Sequence, residues 1–162
     1  MLSSASQIDN EGRRILAYEL RKLGWTYKDV SNHEGYDAWV CAPGGERKRV
    51  EVKSGKKGGW LHIDIRRAGK VRWNDGVEEH EPLVGGLGLS PTARVTFELS
   101  ALTFDEVFVV RGVGTTNPAI YNLTRDEILY NPRTRISYKG FLIFSLGTAR
   151  ERELYRWPRT RL

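Results

Sequence analysis

The chain has 162 residues, with 26 lysines and arginines against 20 aspartates and glutamates, and a formal net charge of +6. This length accommodates one domain with a core of useful size. The sequence contains no apolar run near the ~18–20 residues of a membrane span and lacks the order of a signal peptide at its start, so we expect a cytoplasmic protein without a membrane partner. The single cysteine, Cys41, excludes an internal disulfide and argues against structural zinc.

Charge is segregated along the chain. Residues 46–72 contain ten basic and three acidic residues, whereas residues 74–106 contain seven acidic residues and one basic residue. A positive balance of this kind favours a polyanionic partner such as nucleic acid. We expect a single domain over residues 1–149, followed by a basic C-terminal tail over residues 150–162.

The first predicted element is a helix over residues 9–23, where apolar residues recur at helical spacing before Gly24. Strands are predicted at 25–30, 36–41 and 47–54, and the turn Pro43-Gly44-Gly45 joins the last two. The remaining predicted elements are a hairpin at 60–73, a loop at 74–89, a helix at 91–102, strands at 106–111 and 119–123, a helix at 124–130, and one or two strands within 136–146.

A symmetric turn about Gly44 places Asp37 opposite Glu51 on the two strands. Because strand side chains alternate, Asp37, Glu51 and Lys53 then share one face of the hairpin. The other face is apolar and suited to a core; it consists of Ala38, Val40, Val50 and Val52.

Two carboxylates directly across a ladder destabilise it unless a positive group joins them. Mg²⁺ takes one or two carboxylates with waters and substrate oxygens, so Asp37, Glu51 and the backbone carbonyl of Val52 predict a magnesium site. Beside it, Lys53 is placed to orient a nucleophile or to stabilise developing negative charge. Glu11 falls on the apolar stripe of the first helix, and a carboxylate buried there needs a partner.

Asp37, then Glu51-Val52-Lys53 across a hairpin, after a helix that carries Glu11, resembles the PD-(D/E)XK nuclease superfamily, and within it archaeal Holliday-junction resolvases and Mrr-like nucleases. The resemblance covers residues 9–54. It implies a restriction-endonuclease-like α/β fold with an αβββαβ core, that is, a mixed sheet flanked by helices, carrying an inserted hairpin in this chain. The family often has proline before the aspartate, whereas Tyr36 stands there in this chain.

The resemblance also implies roles for the site residues. Asp37 and Glu51 would be metal ligands, Lys53 the catalytic lysine, and Glu11 a helix carboxylate that assists the metal or its water. The implied activity is hydrolysis of DNA phosphodiester bonds by a homodimeric endonuclease that uses Mg²⁺ or Mn²⁺. Junction resolution, restriction or repair, and RNA cleavage all remain open.

Two function classes without catalysis also fit the sequence. One is a nucleic-acid-binding module that keeps the same fold and its basic face. The other is a small protein-interaction domain whose acidic stretch 74–106 docks a basic partner.

The basic residues that follow the predicted site are candidate phosphate contacts, with a solvated surface as the alternative. Trp39, on the predicted catalytic face, either stacks on a base or sugar or covers the site. The candidate nucleic-acid-binding residues are Lys56, Lys57, Arg66, Arg67, Lys70 and Arg72.

Overall fold

The computed structural model describes residues 4–30, 35–55, 58–64, 71–73, 88–89, 95–97, 102–136 and 141–159. The chain divides into two compact units. The first contains Met1–Gly58, Phe104–Leu123 and Gly147–Leu162, and the second contains Gly59–Thr103 and Thr124–Leu146. Every predicted catalytic residue lies in the first unit.

The first helix, α1, spans Ala5–Lys22. It begins before the predicted start because Ser4 and Gln7 form a reciprocal capping box that satisfies two free backbone amides. Leu16 and Leu20 are fully buried on its inner face. Each such side chain stabilises the packing by about 1.5–3 kcal/mol through its removal from water.

The two later α-helices among the described residues are short, and a threonine N-cap precedes each of them. Helix α2 spans Arg125–Leu129, within the predicted 124–130, and α3 spans Ala149–Arg152. In the described residues, no helix is long and apolar enough to cross a membrane.

The described strands, in chain order, are β1 (Thr26–Asp29), β2 (Ala38–Cys41), β3 (Arg47–Gly55), β4 (Leu61–Asp64), β5 (Val71–Trp73), β6 (Gly88–Leu89), β7 (Val95–Phe97), β8 (Glu106–Arg111), β9 (Ala119–Thr124), β10 (Arg135–Ile136) and β11 (Phe141–Phe144).

A five-stranded sheet in the order β1-β2-β3-β8-β9 forms the centre of the first unit. Strands β1, β2 and β3 are antiparallel neighbours, whereas β3 and β8 run parallel. The sheet is therefore mixed. This arrangement confirms the predicted α/β class with a mixed sheet flanked by helices.

The β2–β3 hairpin has the predicted register. Ala38 pairs with Val50 and Cys41 pairs with Arg47, symmetrically about Gly44. Gly44 has a φ of 69°, in the left-handed region that favours glycine. The four apolar residues of the hairpin are buried in the same cluster as Leu16 of α1; they are Ala38, Val40, Val50 and Val52.

The second unit differs from the prediction in two places. Strand β4 pairs with β11 and β5 pairs with β7, so the two halves of the predicted 60–73 hairpin lie in separate sheets. The helix predicted over 91–102 is wrong at Val95–Phe97, which forms strand β7. Val95 and Thr96 are β-branched and Phe97 is aromatic, and such side chains favour a strand over the helix that Ser90-Pro91 would start.

The segment that follows residue 148 belongs to the first unit. After α3, a 3₁₀ turn spans Glu153–Tyr155, and Trp157 is then buried against Trp25 and Phe108. The backbone N–H of Trp157 donates to the carbonyl of Ile120 at 2.9 Å. The arginine-rich end of the chain therefore has an aromatic anchor in the core.

Helix α1 lies very close to β3 at one point. Gly12 is buried there, and a Cβ at this position would overlap the side chain of Ser54. Only glycine permits this approach, which fixes the height of α1 above the strand that carries Glu51 and Lys53.

We expect Gly12→Ala to lower the free energy of unfolding by about 1–3 kcal/mol, because the added methyl group overpacks the contact with Ser54. Urea denaturation measures the change. In a Ser54→Gly background the same substitution should be much less damaging, since the opposing atoms are gone. Equal losses in the two backgrounds would contradict the close contact.

Candidate functional site

The two predicted carboxylates meet at the start of β2. Asp37 directly precedes β2, and its backbone N–H donates to the carbonyl of Val50 at 2.9 Å. Glu51 lies in the middle of β3, and its carboxyl group is close enough to Asp37 for the charge of that residue to act on it. The hairpin therefore brings together the pair that the sequence predicted.

Asp37 is held through both of its carboxylate oxygens. Arg13 of α1 contacts Oδ1 through Nη2 at 3.1 Å, and the backbone N–H of Val52 donates to Oδ2 at 2.8 Å. The side chains of Arg13 and Asp37 are only 20% and 22% exposed, so solvent screens this ion pair weakly. A helix and a neighbouring strand thus fix one carboxylate from two directions.

Glu51 holds its proton far more tightly than an ordinary glutamate. Burial, followed by the negative charge of Asp37, raises its pKa from 4.5 to about 8, although Lys53 and Arg13 oppose this rise. Burial and the neighbouring carboxyl group therefore both disfavour the charged form of Glu51.

Lys53 follows Glu51 by two residues on β3 and, by strand alternation, faces the same side of the sheet. It is half-buried, and its positive charge acts on Glu51. The structure therefore groups Asp37, Glu51 and Lys53 as predicted.

Glu11 is oriented along its own helix. Its carboxylate accepts hydrogen bonds from Arg14, at 2.9 Å from Nε, and this contact lowers the pKa of Glu11. The partner that the sequence required for this half-buried carboxylate is thus Arg14. The role of Glu11 beside the metal stays a prediction.

Arg13 is the site residue that the sequence analysis did not single out. Besides Asp37, its guanidinium contacts Asp9 and Asp29, each at 3.3 Å. The Asp9 pair has the i,i+4 spacing that a sequence can reveal. The contact with Asp37 spans 24 residues, and no local pattern indicates it.

Most of the candidate nucleic-acid-binding residues cannot be placed. Lys56, Lys57, Arg66, Arg67 and Lys70 lie outside the described residues. The backbone of Arg72 pairs with Thr96 between β5 and β7. Their role in binding stays a prediction.

The indole ring of Trp39 contacts one cationic side chain and one aromatic side chain. The guanidinium of Arg47 lies 4.2 Å from the ring centroid, and Tyr36 packs edge-on at 5.3 Å. Arg47 is exposed, so the stack borders solvent on the same face of β2 and β3 as the carboxylates.

The donor set fits a hard divalent cation. Asp37 and Glu51 provide carboxylate oxygens, and Mg²⁺ commonly binds one or two carboxylates while waters and substrate oxygens complete its coordination. Across the part of the chain that the structure describes, no group of three or more His, Cys, Asp and Glu side chains is arranged to hold a metal ion. Any magnesium here would therefore depend on water and substrate for several ligands.

Comparison with known proteins identifies one fold relative. No protein-family model and no curated protein matches the sequence. A solved structure of a bacterial homing endonuclease, I-Ssp6803I, is similar over 95% of this chain and 89% of its own chain, with a TM-score of 0.51 and 12% sequence identity. The two proteins share a fold.

The raised pKa of Glu51 predicts a pH dependence of stability. Unfolded Glu51 loses its proton near pH 4.5, whereas in the folded protein it keeps the proton up to about pH 8. The folded state therefore favours the protonated form of Glu51. The contribution of Glu51 to the free energy of unfolding falls as the pH rises from 4.5 to about 8. We expect the melting temperature of metal-free protein to decline from pH 5 to pH 8.5 more steeply than that of Glu51→Gln. Equal slopes of melting temperature against pH in the wild type and Glu51→Gln would contradict the raised pKa of Glu51.

We expect Arg13→Gln to lower the free energy of unfolding by roughly 1–3 kcal/mol, because it leaves Asp37 half-buried without its cation. Arg13→Lys should retain part of the stability. The control is Lys22→Gln, which breaks an exposed pair with Glu19 that is worth at most about 1 kcal/mol. Urea denaturation measures the free energy of unfolding of the three variants. Equal losses in Arg13→Gln and Lys22→Gln would show that the ion pair between Arg13 and Asp37 contributes no more than an exposed pair.

Proposed function

We propose that this protein is a metal-dependent endonuclease of the PD-(D/E)XK type that hydrolyses phosphodiester bonds in DNA. One observation carries the proposal. Asp37 and Glu51 are joined across a hairpin, and Lys53 lies on the same face two residues later. The fold shared with a homing endonuclease supports the same function class.

In the proposed site, Asp37, Glu51 and the carbonyl of Val52 hold Mg²⁺, and Mn²⁺ is expected to replace it. The cation supplies positive charge that neutralises the scissile phosphate and promotes ionisation of water. Arg13 and the Val52 amide keep the Asp37 carboxylate in one orientation before the metal binds. This preorganisation reduces what must be ordered on binding.

Lys53 acts on the substrate side of the proposed site. Its ammonium group carries a charge that acts on Glu51, and from there it can donate a hydrogen bond that orients the attacking water or can stabilise the extra negative charge of the transition state. To serve as a metal ligand Glu51 would have to lose its proton, so we expect activity to rise with pH as that proton becomes easier to lose. The homodimer that would cut two DNA strands is part of the same proposal.

The test incubates the protein with Mg²⁺ or Mn²⁺ on linear, branched, nicked and single-stranded DNA and on RNA. We expect metal-dependent cleavage that Asp37→Asn and Lys53→Ala each reduce by about 10²-fold or more, since each removes a group that stabilises the transition state. The two inactive variants, purified in the same way, control for contaminating nucleases. Lys48→Gln, which changes an exposed lysine of the same strand, controls for general loss of charge.

Calorimetric titration of Mn²⁺ gives an independent readout. Asp37→Asn should weaken metal binding, whereas Lys53→Ala should retain it because the lysine is not a ligand. If all variants behave like the wild type on every substrate while DNA binding persists, the catalytic proposal fails and a nucleic-acid-binding module explains the protein better.

A further inference from the structure

A groove of about 620 Å³ lies between α1 and β1 in the first unit. Among its described lining residues, four are basic, namely Arg13, Arg14, Arg21 and Lys28, and Asp29 alone is acidic. The Asp29 carboxylate is already engaged, because it accepts a hydrogen bond from the Tyr27 hydroxyl at 2.7 Å and contacts Arg13 at 3.3 Å. Basic side chains therefore outnumber acidic ones among the described lining residues, although Arg13 and Arg14 are paired with carboxylates of α1 and neighbouring segments.

The helical wall of the groove carries a regular pattern. Arg14, Tyr18 and Arg21 have the spacing i, i+4, i+7, which places them on one face of α1 over about 10 Å of helix. The side chain of Arg14 is 68% exposed and Tyr18 is 59% exposed. An exposed aromatic residue between two arginines is an unusual use of a helix surface.

Arg21 retains a charge available to a ligand. Its guanidinium donates to the backbone carbonyl of Tyr27 at 3.1 Å, which is a neutral acceptor. Within the described residues Arg21 has no carboxylate partner, unlike Arg14, which pairs with Glu11. A bound anion would supply that missing partner and leave the remaining guanidinium donors satisfied.

One end of the groove reaches the candidate active site. Arg13 lines the groove and also contacts Asp37 at 3.1 Å. A polymer that lies along α1 would therefore arrive beside the paired carboxylates.

From these observations we propose that the α1–β1 groove binds the sugar-phosphate backbone of a DNA strand and guides it to Asp37 and Glu51. Arg14 and Arg21 contact phosphates, and Tyr18 packs on a sugar or base between them. At a rise of about 3.4 Å per nucleotide, the distance from Arg14 to Arg21 matches about three nucleotides. The inference rests on the proposed function for the identity of its ligand.

Arginine and tyrosine together favour a nucleic acid over an acidic peptide. Arginine forms paired hydrogen bonds with phosphate, and an aromatic ring stacks on any base. A peptide carboxylate would use the arginines but leave Tyr18 without a matching surface.

The experiment measures binding of a fluorescent DNA oligonucleotide by anisotropy, in EDTA and at several salt concentrations, so that no cleavage occurs. We expect Arg21→Gln to weaken binding roughly threefold to tenfold and to reduce the salt slope by about 1, because one phosphate contact is lost. Tyr18→Ala should weaken binding at least about fivefold through lost stacking. Both positions are exposed on α1, so the variants are expected to fold.

Two matched controls separate a site from general electrostatics. Arg21→Lys keeps the charge and should retain most of the affinity and the salt slope. Lys48→Gln removes an exposed charge from the same unit outside the groove and should change little. Wild-type affinity in both Arg21→Gln and Tyr18→Ala, or an equal loss in Lys48→Gln, would overturn the inference, as would equal competition by polyglutamate.

The outcomes also separate this inference from the proposed function. If the wild type binds DNA through the groove but does not cleave it with metal, the nuclease proposal is wrong and the proposed DNA-binding role of the groove is supported. If the wild type cleaves DNA and the groove variants bind and cleave it normally, the proposed DNA-binding role of the groove is wrong and the nuclease proposal is supported. If the wild type binds no DNA, both are wrong.

Discussion

Two half-buried carboxyl groups face each other where β2 begins beside β3, and their repulsion must be relieved for the hairpin to keep its register. The guanidinium of Arg13 and the backbone amide of Val52 both contact Asp37, and the raised pKa of Glu51 disfavours the charged form of that second carboxyl group. Each of these contributions is electrostatic and acts in a poorly solvated place, so each is stronger than on an open surface.

The position of α1 decides whether Arg13 can reach Asp37. Gly12 lets the helix approach Ser54 on β3, and Leu16 anchors the helix on the apolar face of the sheet. Arg13 then contacts carboxylates on α1, on β1 and next to β2. One guanidinium therefore links three elements of the first unit to one of the candidate site's carboxylates.

The shared fold with a homing endonuclease at 12% identity shows how little sequence the architecture requires. The sheet depends on where buried residues fall, and many apolar side chains satisfy that pattern. Chemistry is more demanding, because a site needs particular groups at particular distances. For this reason Asp37, Glu51 and Lys53 support the proposed nuclease function more directly than the fold does.

Local patterns in the chain specify α1, the β2–β3 register and the shared face of Asp37, Glu51 and Lys53, because helical spacing, strand alternation and a tight turn depend on residues close in sequence. Tertiary structure decided the pairing of β4 with β11 and the strand at Val95–Phe97, where partners distant in sequence determine the outcome. It also decided the contact of Arg13 with Asp37 and the α1–β1 groove. A long-range contact leaves no periodic pattern in a single sequence, since only the folded chain brings its two partners together.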